Sequence, residues 1–119
     1  MADHNELGKE GEEIACAHLI SEGYKILERN FRFQKAEIDI IASYKKEIII
    51  VEVKTRNSDF FGNPQEFITP KKIKLLVKAA NEYVVSNSIS FEARFDVIAV
   101  LKNKKEQKVT HFKNAFYHF

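Results

Sequence analysis

The chain has 119 residues, 45% hydrophobic and 30% charged, a size and mixture that suit one domain around one apolar core. Nineteen Lys and Arg against 17 Asp and Glu leave a formal net charge of +2, which excludes a histone-like polycation and makes any nucleic-acid contact a matter of local clustering. Cys16 is the one cysteine, so an intramolecular disulfide scaffold is excluded and a reducing compartment is compatible.

The start, MADHNELGKEGEE, lacks the basic-then-apolar pattern of a signal peptide. The aliphatic run from Ile48 to Val51 is much too short to cross a bilayer. A soluble cytoplasmic protein with no membrane partner is the expectation. Asn5 is placed to cap a helix from about Glu6 to Glu22, ended by Gly23. Its inward stripe reads Leu7, Gly11, Ile14 and His18, widened by Ala15, with Glu12 on the shoulder about 20° from Leu19. Tyr24 to Phe33 reads as a strand, and Glu37 to Ser43 and Glu47 to Arg56 are the strongest strand patterns, joined by a tight break at Tyr44 to Lys46. NSDFFGNPQEF is a loop with Gly62 and the Asn63-Pro64 turn signal. Thr69 and Pro70 form an N-cap and first-turn pair, followed by Ile73, Leu76, Val77, Ala80 and Val84 at helical spacing to about Val85. FEARFDVIAVL and KVTHF give two more strands around the charged turn LKNKKEQK. This order predicts a sheet of four or five strands with helices against it.

The two central strands carry charge where burial tolerates it least. Strict alternation puts Glu37, Asp39 and Ile41 on one face of their strand and Ile50, Glu52, Lys54 and Arg56 on one face of the next. A turn centred between Lys45 and Lys46 pairs 44 with 47, 42 with 49 and 39 with 52, although Lys-Lys is a poor two-residue turn. Asp39 would then face Glu52 with Cβ atoms roughly 5 Å apart, and two carboxylates that close repel unless a cation holds them. Mg²⁺ takes one or two carboxylates plus waters and phosphate oxygens, and Lys54 on the same face could reach a phosphate or an attacking water. The grouping suits phosphodiester hydrolysis. A Glu-x-Lys pair on an exposed strand face is also a common surface feature worth under about 1 kcal/mol; Asp39, flanked by aliphatics, is the less ordinary residue.

Over nearly its whole length the chain resembles the YraN-like family of small bacterial proteins, through GKEGEEIACAHLISEGYKILERNFR, AEIDIIA, IIVEVKTR, FGNPQEFITPKK, ARFDVIAV and HFKNAF. That family is similar in fold to archaeal Holliday junction resolvases, within the PD-(D/E)xK nuclease superfamily. The resemblance implies an α/β, restriction-endonuclease-like fold: a mixed four- or five-stranded sheet flanked by helices, with 1–119 forming one nuclease-like domain. Asp39 matches the superfamily's first acidic position, Glu52 and Lys54 its E-x-K pair, and Glu12 the helical glutamate of the resolvase branch. The implied catalytic set is Asp39, Glu52, Lys54 and Glu12, with Mg²⁺ (or Mn²⁺) on Asp39, Glu52 and Glu12. The implied partner is DNA, branched forms included, and the implied assembly a homodimer. Ala36 stands where the family usually has glycine, which would strain a positive φ there.

Arg29, Arg32, Lys35, Arg56, Lys71, Lys72, Lys74 and Lys78 are candidates for a phosphate-tracking surface, although an amphipathic helix shows lysines on its wet face anyway. Phe60 and Phe61 could stack on distorted DNA, plug the core or meet a partner. His18 reads as a core histidine, Cys16 as a small buried hydrophobe, and Asp96 as a structural acceptor. Three functions stand open: a metal-dependent endonuclease, a catalytically inactive DNA-binding or repair-accessory protein, and a protein-interaction module.

Overall fold

The computed structural model describes residues 4–57 and 68–115. The order is α1 (His4–Ser21), β1 (Lys25–Phe33), β2 (Ala36–Tyr44), β3 (Glu47–Arg56), α2 (Pro70–Ser86), β4 (Glu92–Lys102) and β5 (Gln107–Phe112). The predicted loop positions Phe60, Phe61, Gly62, Asn63 and Pro64 lie outside the described residues.

The five strands form one sheet in the order β1-β2-β3-β4-β5. Neighbours run antiparallel except β3 and β4, which pair in parallel from Glu47↔Glu92 to Arg56↔Leu101. Two parallel neighbours need a crossover between them, and α2 lies in that connection. The sheet is therefore mixed. It is sandwiched by helices: α2 packs with Ile38, Ile41, Ile48, Ile50, Phe95 and Val97 on one face. On the other face Ala15, Cys16 and Leu19 of α1 meet Ile40, Ala42, Ile49, Val51, Ile98 and Val100.

Both helices have local causes. Thr69 Oγ1 accepts from the Lys72 amide at 3.1 Å and Pro70 occupies the first turn, as the Thr-Pro pair predicts. α1 ends at Gly23, whose φ of 91° suits glycine. Asn5 does not precede α1; the helix already includes it. The buried stripe of α1 is Gly11, Ala15, Cys16 and Leu19, with Leu7, Ile14 and His18 at its margin. The helix is thus rolled toward Glu12 relative to the predicted stripe. Gly11 explains how: a Cβ built there would collide with Thr55 Oγ1 and lie 2.9 Å from Thr55 Cβ and Cγ2. Only glycine lets the helix approach β3 this closely.

The β2–β3 register follows the predicted sum, with Tyr44↔Glu47, Ala42↔Ile49 and Ile40↔Val51. Lys45 and Lys46 form the turn with φ of 47° and 66°, so two lysines adopt the left-handed pair that a two-residue hairpin of this twist requires. Ala36 is not among the positive-φ residues, so the strain expected of a non-glycine residue there does not arise.

One expectation fails. Alternation along β2 is not strict: Ala36, Ile38 and Ile41 pack on the α2 side, Ile40 and Ala42 on the α1 side. The change of face falls at Asp39. In β1 Arg29 reaches α1, whereas Phe31 and Phe33 pack toward α2. Asn30 lies between them with φ of 55°. The ladder pairs Arg29↔Ile40 and Phe31↔Ile38 bracket the break. Both strands change face at the same level, and Glu37, Asp39 and Ile41 do not share a face as simple alternation predicts.

Candidate functional site

The β2–β3 ladder stops at Ile40↔Val51, one pair short of the predicted Asp39↔Glu52 main-chain pairing. Beyond it the strands separate, and the Val53 amide donates to Asp39 Oδ2 at 2.8 Å instead of to a strand carbonyl. Asp39 and Glu52 are both buried, 9% and 6% exposed. Their side chains lie close enough for the Glu52 carboxylate to act on Asp39. Two carboxylates this close at ordinary pH require one to hold a proton or a cation to intervene. Burial first, then the neighbouring Glu52 carboxylate, push the Asp39 carboxyl up to about 8, against the opposing pull of the Val53 amide.

Two lysines close the site. Lys54, on the same strand as Glu52, is half-buried, and burial followed by the nearby Lys72 charge lowers its ammonium pKa. Lys72 reaches across from the first turn of α2 and places Nζ 2.8 Å from Glu52 Oε2. That oxygen is buried, and the ammonium meets it as an ion pair without an aligned hydrogen bond. Burial works against the Lys72 charge, but the attraction of the Glu52 carboxylate and then of Asp39 outweighs it and raises its pKa.

Glu12 comes from α1. Burial raises its carboxyl, Arg29 opposes, Glu37 and Glu52 add repulsion, and the nearby Asn30 side chain lowers it. The left-handed Asn30 thus serves the site as well as the strand break. Glu12 stands at Coulombic range of the Asp39–Glu52 pair. Among the described residues no group of three or more His, Cys, Asp or Glu side chains is close enough to hold a metal ion, so Glu12 is not drawn in as a close third donor. The donor set at the centre is two carboxylates, all oxygen. That suits a hard cation such as Mg²⁺, which keeps several waters, better than it suits Zn²⁺.

The remaining basic candidates divide. Arg29 pairs with Glu13 at 2.7 Å and lies 4.0 Å from Glu12; Arg32 pairs with Glu37 at 2.7 Å. Lys71, Lys74 and Lys78 are exposed along α2, and Lys35 and Arg56 are also exposed. Lys72, expected with the lysines of the wet face, instead belongs to the carboxylate cluster. Sequence reasoning missed this because nothing in PKKIK distinguishes its second lysine from the others. A cleft of ≈ 290 Å³ lined by Lys35, Glu37, Thr69, Lys71, Lys72 and Leu75, among others, opens beside it.

A second buried acid has a different setting. Asp96 is 0% exposed. It accepts two hydrogen bonds from Arg94 at 2.9 and 2.8 Å, one from His111 Nε2 at 2.7 Å and one from the Asn114 amide at 2.9 Å. His111 Nδ1 in turn lies 3.3 Å from His18 Nε2, and Arg94 donates to the Tyr24 hydroxyl at 2.7 Å. Burial pushes the Asp96 carboxyl up, but His111, Arg94 and the Asn114 amide together bring it below the usual carboxylate value. Every lone-pair direction is served within the protein.

Fold and site together define an α/β protein whose mixed five-stranded sheet lies between two helices and carries two buried carboxylates and two lysines where central strands part. The sequence profile described as "Uncharacterised protein family UPF0102" matches residues 11–100. The chain is 60% identical over 119 residues to a UPF0102 protein of Flavobacterium psychrophilum and 53% identical over 119 residues to one of Christiangramia forsetii, covering 100% of each chain. It is 46% identical over 114 residues to one of Syntrophomonas wolfei, covering 95% of this chain and 99% of that protein. The chain belongs to the UPF0102, or YraN-like, family. No helix among the described residues is long and apolar enough to cross a membrane.

Proposed function

We propose that the protein is a metal-dependent endonuclease that hydrolyses DNA phosphodiester bonds, on a restriction-endonuclease-like fold. Branched or distorted DNA is the preferred substrate class, and a homodimer is the form that would meet the two equivalent strands of a four-way junction. The observation that carries the reading is the buried, closely placed Asp39–Glu52 carboxylate pair, accompanied by two lysines. A purely structural pair of acids would be expected to have donors for every oxygen, as Asp96 has.

Asp39 and Glu52 would hold a Mg²⁺ or Mn²⁺ ion, with Glu12 acting on its waters. When bound, the cation supplies charge neutralisation at a phosphodiester. The Val53 amide fixes the orientation of Asp39. Lys54 stands beside the attacking water, and its lowered pKa eases proton exchange with that water. Lys71, Lys74 and Lys78 track the backbone without reading bases.

The test is incubation of highly purified protein with junction, nicked, flap and plain duplex DNA, with Mg²⁺ or Mn²⁺ and an EDTA control. Cleavage by wild type should be lost in Asp39→Asn, Glu52→Gln and Lys54→Ala, with folding preserved by circular dichroism. Cleavage undiminished in Asp39→Asn would place the activity elsewhere. Firm DNA binding without cleavage on every substrate would instead mark an inactive DNA-binding protein.

A further inference from the structure

Lys72 occupies an electrostatically unusual position. It lies in the first turn of α2, where the helix dipole disfavours cations, and that turn contains no acidic residue. Its amide is tied to Thr69 Oγ1 at 3.1 Å, so the backbone is fixed and only the side chain can travel. The side chain is 40% exposed, yet its Nζ is 2.8 Å from a carboxylate that is 6% exposed. One end of its reach is therefore Glu52. The other is the open cleft of ≈ 290 Å³ that it shares with Lys35 and Lys71.

The ammonium and a divalent cation would draw on the same carboxylate. Glu52 is the Lys72 partner through Oε2 and also a ligand of the proposed ion, and two cations on one buried carboxylate repel each other strongly. We propose that Lys72 is an exchangeable counter-ion: it neutralises Glu52 in the resting protein and transfers to a DNA backbone phosphate when a divalent cation takes Glu52. The inference rests on the metal site proposed above. Metal and DNA then assist each other. Phosphate draws Lys72 away from Glu52 and tightens the metal site, while metal releases Lys72 and tightens DNA binding by the same factor.

Mn²⁺ serves as the probe, titrated calorimetrically into the full chain. Without DNA, Lys72→Met should bind Mn²⁺ about tenfold more tightly than wild type, because no resident cation has to leave. Lys72→Gln should behave alike, and Lys72→Arg, which keeps the charge, should stay near wild type. A hydrolysis-resistant phosphorothioate duplex should raise the Mn²⁺ affinity of wild type by a larger factor than that of Lys72→Met, the difference being the part due to release of Lys72. Equal Mn²⁺ affinity in wild type, Lys72→Met and Lys72→Gln, with binding abolished in Asp39→Asn, overturns the exchange and leaves the metal site standing. Mn²⁺ binding by none of the folded proteins overturns both the exchange and the metal site.

Discussion

The amide of Val53 donates a 2.8 Å hydrogen bond to Asp39 Oδ2, so a side chain of β2 takes the place of a main-chain partner for β3. This one bond joins fold to chemistry. It satisfies a buried donor where the ladder has ended, and it holds the Asp39 carboxylate in place beside Glu52.

That geometry makes stability fall as pH rises. The Asp39 carboxyl moves from its ordinary 3.8 up to about 8, so the folded protein binds this proton more tightly than the unfolded chain. The contribution is fully present below the unfolded value and disappears as pH rises through the folded value. Asp39→Asn keeps a group able to accept from Val53 and removes the ionisation. It should raise Tm, by several degrees (about 4 °C or more) at pH 9 and by much less at pH 5. Thermal unfolding of both proteins across that range is the measurement; a gain largest at pH 5 contradicts the assignment.

Asp96→Asn should do the reverse. Asp96 is buried and accepts from Arg94, His111 and the Asn114 amide, so neutralising it leaves the partly buried Arg94 guanidinium with only the more distant Glu47 carboxylate at 3.4 Å. A loss of about 3–5 kcal/mol is expected in urea unfolding at pH 7. The depressed Asp96 pKa carries the opposite pH sign, with stability present above 3.8 and lost as pH falls through the folded value. The wild-type minus Asp96→Asn difference should therefore shrink on acidification below pH 4. A constant difference would remove the charge from the explanation.

Gly11→Ala should both destabilise and disturb the site. The new methyl would meet the Thr55 side chain, and overpacking of this kind costs about 1–3 kcal/mol. Moving α1 outward also carries Glu12 away from Glu52. Combining Gly11→Ala with Thr55→Gly should recover part of the loss, measured as a double-mutant cycle in urea. Additive losses would place the cause elsewhere.

DNA affinity should depend steeply on salt if the exposed lysines of α2 track phosphates. The log–log slope on duplex DNA should be near 0.9 per phosphate neutralised. Lys71→Ala with Lys74→Ala should weaken unrelated sequences alike and lower the slope by about 2. Fluorescence anisotropy across a salt series reads both. An unchanged slope in the double variant would exclude that face.

Much of the fold was legible locally because the signals are local. The Thr69-Pro70 pair starts α2, and β3 spans Glu47–Arg56 as its aliphatic run predicts. The hairpin register follows from the turn position even though Lys45-Lys46 is an unfavoured turn pair, because both lysines adopt the positive φ that the turn needs. Asp39, Glu52 and Lys54 could be marked because ionisable groups among aliphatics stand out in any window.

By itself, then, the sequence determined the elements, their order, the central register and which strand residues were chemically out of place. Each depends on neighbours a few positions apart, where periodicity and turn geometry act. Only the tertiary structure decided that Asn30 and Asp39 turn both strands over at one level, that α1 rolls to present Glu12, and that β3 and β4 are parallel. It also selected Lys72 from among equivalent lysines and gave Asp96 its partners. Those outcomes depend on desolvation and charge contacts between residues distant in sequence, where a buried carboxylate takes whichever cation or donor the packing brings within reach.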